Sequence, residues 1–263
     1  MDLKLRGKRA LVTGSTAGIG FAIARGLARE RAEVIVNGRS EQKVAEAIQR
    51  ISSEVGSTAT GVAADLSSAE GVDRLIEGAG RVDILINNAG IFEPVPFPEI
   101  SDQDWFRFFE LNVMSGVRLA RALLPSMLKR DWGRIMFISS ESGVQIPAEM
   151  VHYGVTKTAQ LALSRGIAES VAGTGVTVNS VLPGPTRSEG VVDFLAKVAA
   201  EHKTERSAVE EEFLRTMRPS SLIRRFAEPE EVANLVVFLA GEGSSAITGA
   251  ALRVDGGVVR SIV

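Results

Sequence analysis

The run Lys8-Arg9-Ala10-Leu11-Val12-Thr13 breaks at once into Gly14-Ser15-Thr16-Ala17-Gly18-Ile19-Gly20, and apolar residues then recur at Ala22, Ile23, Leu27 and Ala28. The pattern reads as a short buried strand, a glycine-rich turn and a helix. A strand that runs straight into a helix is half of a crossover unit, which commits the chain to a sheet with parallel neighbours. The turn also has a chemical meaning. Glycines let the backbone approach a phosphate, and a helix N-terminus offers unpaired N–H groups and the positive end of its dipole. A dinucleotide pyrophosphate would fit there. The spacing is Gly-x-x-x-Gly-x-Gly rather than the commoner Gly-x-Gly-x-x-Gly, and a tight turn alone would also use such a cluster.

The alternation continues to the end of the chain. Apolar strands are expected at Glu33–Asn37, Thr60–Asp65, Val82–Ile86, Ile135–Ser139, Val176–Val181 and Ala250–Val254. Helices are expected at Glu41–Ser53, Asp104–Met127, Tyr153–Val171 and Pro229–Leu239, with loops at Phe92–Pro98 and Glu141–Met150. Such alternation implies an α/β fold: a doubly wound, seven-stranded parallel sheet with right-handed crossovers. Repeats, low-complexity tracts and a second domain are not evident, so residues 1–263 read as one domain. The stretch 188–221 is helical in propensity and highly charged, with Phe194, Leu195, Val198, Phe213, Leu214 and Met217 among the charges. It reads either as a flap over a site or as a solvated helical hairpin.

Composition narrows the function classes. Thirty basic against thirty-two acidic residues give a net charge of −2, with no basic block for nucleic acid. There is no cysteine, so thiolate chemistry is excluded, and the two histidines, His152 and His202, argue against a metal site. The charged N-terminus and the lack of a membrane-length apolar stretch make a cytoplasmic protein the expectation.

The candidate chemistry centres on Tyr153-Gly154-Val155-Thr156-Lys157. Positions i and i+4 share a helix face, so Tyr153 and Lys157 point the same way. A fixed ammonium favours the phenolate and would let the phenol give or take a proton. Tyr153 is the single tyrosine in 263 residues. Upstream, Ser139-Ser140 ends an expected buried strand at its C-terminal edge, where open α/β sheets place ligands. At the end of the second strand an acid for a ribose 2′-hydroxyl is missing and Arg39 is present, which favours a 2′-phosphate and hence NADP over NAD. A solvated loop arginine is the plainer reading. Asp65 could accept from an adenine amino group or cap the next helix. No arginine stands out as a carboxylate clamp, and His152 reads as a pocket-wall or surface residue.

The ordered set Thr13-Gly14-x-x-x-Gly18-Ile19-Gly20, Asp65, Asn87-Asn88-Ala89-Gly90, Asn112, Ser140, Tyr153-x-x-x-Lys157 and Pro183-Gly184 resembles the short-chain dehydrogenase/reductase family. Arg224–Pro229 and Val254-Asp255-Gly256-Gly257 are similar to its 3-oxoacyl-carrier-protein reductases. The resemblance implies a Rossmann-type fold and a role for each matching residue. Tyr153 would protonate a carbonyl oxygen as hydride arrives, and Ser140 would hold that oxygen. Lys157 would bind the nicotinamide ribose and depress the tyrosine pKa, and Asn112 would hold a water linking Lys157 to solvent. Gly14, Ser15, Thr16, Gly18, Ile19 and Gly20 would cradle the phosphates, with Asp65 and Leu66 at the adenine, Asn88 at the adjacent ribose and Thr186 at the nicotinamide amide. The family's Tyr-Ser-Ala-Ser-Lys is Tyr-Gly-Val-Thr-Lys here, and Gly190–Ser221 looks longer than in the carrier-protein reductases. The resemblance implies an NADP(H)-dependent oxidoreductase of a carbonyl or secondary alcohol and a homotetramer. An NAD-dependent alcohol or sugar dehydrogenase and a non-catalytic NADP sensor are the alternatives. Gln145, Ile146, Met150, His152, Phe92, Glu93 and Val191–Met217 are expected around the substrate.

Overall fold

The computed structural model describes residues 2–262. Seven strands, β1 (Arg9–Val12), β2 (Glu33–Gly38), β3 (Ala59–Ala63), β4 (Ile84–Asn87), β5 (Gly133–Ile138), β6 (Val176–Pro183) and β7 (Ala251–Val254), form one sheet in the order β3-β2-β1-β4-β5-β6-β7. Every pairing is parallel. The helices are α1 (Gly18–Arg29), α2 (Glu41–Val55), α3 (Ala69–Ala79), α4 (Asp102–Phe109), α5 (Ser115–Lys129), α6 (Val151–Ser170), α7 (Glu189–Glu201), α8 (Arg206–Thr216) and α9 (Pro229–Ala240). None of them is long and apolar enough to cross a membrane.

Strand residues alternate between the two faces, and both faces are covered. Ala10, Val12, Ile84 and Ile86 join the core under α1, α2 and α9, with Ile23, Val44 and Val236. Leu11, Leu85, Ile135 and Phe137 join the opposite core under α3, α5 and α6, with Leu75, Leu119 and Ala168. Continuous apolar strands are therefore required by two-sided burial. The strand order reverses between β1 and β4, so their C-terminal ends open a crevice.

Two sequence expectations need correction. The third strand stops at Ala63, leaving Asp65 beyond it, where its Oδ1 accepts the Ser67 N–H at 3.0 Å. Ser68, not Asp65, caps α3. The single helix expected over Asp104–Met127 is α4 and α5 joined by a π turn at Glu110–Met114. A π turn admits one residue more than an α turn and loosens the carbonyl ladder. It falls on Asn112, whose carbonyl accepts a side-chain donor from α6.

Gly71, in the first turn of α3, is fixed by close approach. A Cβ there would lie 1.7 Å from the Asp65 carbonyl oxygen. Gly71→Ala is expected to lower stability by about 1–3 kcal/mol through backbone displacement. A urea-unfolding midpoint unchanged from wild type would contradict the contact.

Candidate active site

The C-terminal strand ends and the α7–α8 hairpin enclose a cavity of about 620 Å³. Its wall includes Gly18, Ile19 and Gly20 of the glycine turn, the trio Ser140, Tyr153 and Lys157, and Asn88 and Thr186. Ser140 follows β5, and Tyr153 and Lys157 lie one turn apart near the start of α6. Phe92 packs edge-on against Tyr153 with ring centroids 6.4 Å apart. Lys157 is 4% exposed; its Nζ sits 5.6 Å from the Tyr153 ring centroid and donates to the Ile138 carbonyl at 2.9 Å.

The electrostatics differ from the sequence expectation. Enclosure by protein pushes the Tyr153 phenol well above its ordinary range. The Glu141 charge adds to this, while a Ser140 hydrogen bond and the Arg218 charge oppose it. Burial lowers Lys157 to about 8. The groups that set the phenol are thus Glu141, Ser140 and Arg218 rather than Lys157, whose own ammonium is disfavoured by the same burial.

The glycine turn is braced from behind. Gly14 and Gly18 have φ of +59° and +57°, the left-handed region that glycine tolerates. Asn88 Nδ2 donates to the Thr13 and Gly14 carbonyls at 2.9 and 3.0 Å, and Gly14 N–H donates to Asn37 Oδ1 at 3.2 Å. The Ser15 hydroxyl donates to Val12 O and accepts from Asn37 N–H, so it faces the sheet rather than the crevice. Thr16 packs against Gly38 at the end of β2. Leu66 is buried in the core, and Asn112 is buried against Thr156 of α6. Arg39 is exposed at the end of β2, near enough to help hold the Asp65 carboxyl below its usual range after the Ser67 N–H. Gly14, Ser15, Thr16, Arg39, Asp65, Leu66 and Asn112 are thus supports or outlying groups, not cavity wall.

A family model described as short chain dehydrogenase matches residues 8–199. The chain belongs to the short-chain dehydrogenase family. It is 49% identical over its full length to the full-length oxidoreductase YvaG of Bacillus subtilis. L-Sorbose reductase from Gluconobacter frateurii, solved with NADPH and L-sorbose, is 34% identical with a TM-score of 0.95, covering all of both chains. A 3-oxoacyl (acyl-carrier-protein) reductase from Agrobacterium tumefaciens, solved with NADP bound, is 34% identical with a TM-score of 0.87 over 96% of this chain and 95% of that one. Membership makes the protein an oxidoreductase with the Rossmann-type fold.

Several features of this short-chain dehydrogenase were not anticipated. Asn112 spends its amide on protein: Nδ2 donates to Ile91 O and Thr156 Oγ1, and Oδ1 accepts from Ile91 N–H. Gln160 joins the Asn112 backbone carbonyl to Lys157. Its Nε2 donates to the Asn112 carbonyl at 2.5 Å and its Oε1 accepts from Lys157 Nζ at 3.4 Å. Gln160 sits at i+3 from Lys157, a spacing that could have revealed it. His152 neither lines the cavity nor reaches the surface. It is wholly buried against Phe108, with ring centroids 3.9 Å apart, and burial lowers its pKa. Phe92 and Met150 line the cavity, whereas Gln145, Ile146 and Glu93 do not.

The α7–α8 hairpin roofs the cavity with Val191, Phe194, Val198, Phe213 and Met217. Charges fasten it at both ends. Arg187 pairs with Glu210 at 2.8 Å, and Arg218 with Glu141 at 2.7 Å. Glu189, in the first turn of α7, accepts the Gly18 N–H at the start of α1.

Proposed function

We propose that the protein is an NADP(H)-dependent oxidoreductase that interconverts a ketone and a secondary alcohol, with Tyr153 as acid in reduction and base in oxidation. The convergence of Ser140, Tyr153 and Lys157 with the Gly18–Gly20 turn on one cavity carries this reading. The turn suits a pyrophosphate, since the Gly18 N–H already holds a carboxylate from the chain itself. Arg39 would meet a 2′-phosphate beyond β2, and NADPH or NADP accompanies the L-sorbose and carrier-protein reductases named above.

When bound, the cofactor supplies the hydride. Ser140 holds the substrate oxygen against Tyr153, which gives it a proton as charge develops there. Lys157 binds the nicotinamide ribose and faces the tyrosine across one helix turn. The hairpin is the substrate flap and excludes water. The cavity wall carries Glu141, Glu149, Glu189 and Glu212 against Lys157 and Arg218, so a neutral ketone suits it better than an anion. The homotetramer implied by the family resemblance and the cytoplasmic location expected from the sequence belong with this proposal.

The test is titration with NADPH and NADH, then a carbonyl panel of a ketose, an aliphatic ketone and a 3-oxoacyl thioester. Tighter NADPH binding with cofactor oxidation on one of them is expected. Arg39→Ala should weaken NADPH by about 1 kcal/mol or more while leaving NADH unchanged, as loss of a charge-assisted phosphate contact predicts. Equal NADPH affinity in wild type and variant would remove Arg39 from the cofactor site.

A further inference from the structure

Ser140 does not face the cavity alone. Glu141 and Arg218 are 4% and 6% exposed, and they form a chain of contacts behind it. Arg218, just beyond α8, donates through Nε to Glu141 Oε1 at 2.7 Å and through Nη1 to Glu149 Oε1 at 3.1 Å. Glu141 Oε2 accepts the Ser140 hydroxyl at 2.5 Å, along with the N–H and hydroxyl of Ser142 at 2.8 and 3.1 Å. The Ser140 oxygen in turn accepts from Ser142 N–H at 3.1 Å. The serine is therefore pinned as donor and as acceptor.

A buried carboxylate is the wrong charge for this position. It opposes a phenolate on Tyr153, and it takes the one proton that Ser140 could offer a carbonyl oxygen. Arg218 answers both problems. It neutralises Glu141 through the oxygen that does not hold the serine, so the carboxylate tolerates release of the serine proton. Burying such a pair is not a cheap way to gain stability, which leaves its placement to be explained by function.

We infer that Glu141 and Arg218 are positioning residues: Glu141 sets the Ser140 hydroxyl, and Arg218, carried by the end of the hairpin, screens Tyr153 from the Glu141 charge. Seating of the hairpin and charge balance at the phenol then become one event. The inference rests on the oxidoreductase reading for its purpose, not for its geometry.

The groups facing Tyr153 are Lys157 from its own helix, Glu141 from the loop after β5 and Arg218 from the end of the hairpin. Glu149 reaches it through Arg218, and Glu189 and Glu212 stand on the same cavity wall. His152, also on α6, packs against Phe108 and does not line the cavity.

Because the chain has one tyrosine, a fluorinated and more acidic tyrosine incorporated in its place gives a single ¹⁹F resonance that reports Tyr153 alone. Its titration midpoint needs no substrate, so the result stands whether or not a carbonyl is reduced. Arg218→Met should raise the midpoint by about 1 unit or more, because Glu141 is left uncompensated. Glu141→Gln should lower it. The double variant should fall well below Arg218→Met, showing that the two effects share one pair, and Arg218→Lys should recover part of the loss. Unchanged midpoints in Arg218→Met and Glu141→Gln would overturn the inference. If Arg218→Met fails to fold, Glu141→Gln decides alone: a lowered midpoint supports the screening role, and an unmoved or raised one refutes it.

Discussion

Tyr153→Phe should lower the rate of NADPH-dependent ketone reduction by about 10²–10⁴-fold while NADPH affinity stays within about twofold of wild type. The phenyl ring keeps the packing against Phe92 and the place on the cavity wall, and only the hydroxyl is lost. An effect on turnover without an effect on cofactor binding is the signature of a group that acts in the transition state. No second phenol exists to substitute for it. His152, one residue away, cannot take over the proton, because it is wholly buried on Phe108 and outside the cavity. Stopped-flow oxidation of NADPH checks the rate and fluorescence titration checks the affinity. Retained turnover would take the proton-donor role away from Tyr153.

Lys157→Met should separate stability from activity. The lysine is 4% exposed, and burial lowers it to about 8 from an ordinary 10.5, so the folded chain carries a disfavoured ammonium at neutral pH. Between about 8 and 10.5 the unfolded state binds this proton and the folded state does not. By linkage, wild-type stability then rises with pH across that window, by about 3 kcal/mol if this group acts alone. Below the window both states are protonated and the full penalty is present; above it both are neutral. The methionine variant lacks the penalty, so its urea midpoint near neutral pH should exceed that of wild type, and the difference should shrink towards the top of the window. Its ketone reduction should fall by about 10²-fold or more, since the cation expected at the ribose is gone. A variant less stable than wild type at neutral pH would show that the hydrogen bond to Ile138 outweighs the buried charge. Such a pairing of strain with activity is common where a site is built from groups that the fold would rather not bury.

The parallel sheet was legible because two-sided burial demands apolar strands, and Ala10–Val12 in β1, Ile84–Ile86 in β4 and Ile135–Ile138 in β5 are unbroken buried apolar runs. Tyr153, Lys157 and Ser140 were legible because helix periodicity and a strand end fix their direction without knowledge of any distant contact. The glycine turn was legible only as a location. Which of its groups face outward depends on Asn37 and Asn88, which reach it from other strands. The π turn at Asn112 was illegible, since no proline or glycine marks it and the sequence reads as one amphipathic run. Arg218 was illegible for another reason. It lies 77 residues from Glu141, and nothing local distinguishes a buried, paired arginine from its solvated neighbours. Glu141 did carry a signal, an acid directly after the candidate serine.

If the Gly18–Gly20 turn receives a phosphate as proposed, the contact between Glu189 and the Gly18 N–H makes that side chain a tethered competitor for it. One amide proton cannot serve the carboxylate and a pyrophosphate at full strength, so an entering phosphate and the first turn of α7 exclude each other at that point. By reciprocity, whatever energy the phosphate spends on displacing Glu189 is the energy by which it biases the hairpin. Under the proposed function, occupancy of the turn and the seating of the hairpin would thus be coupled through a single side chain.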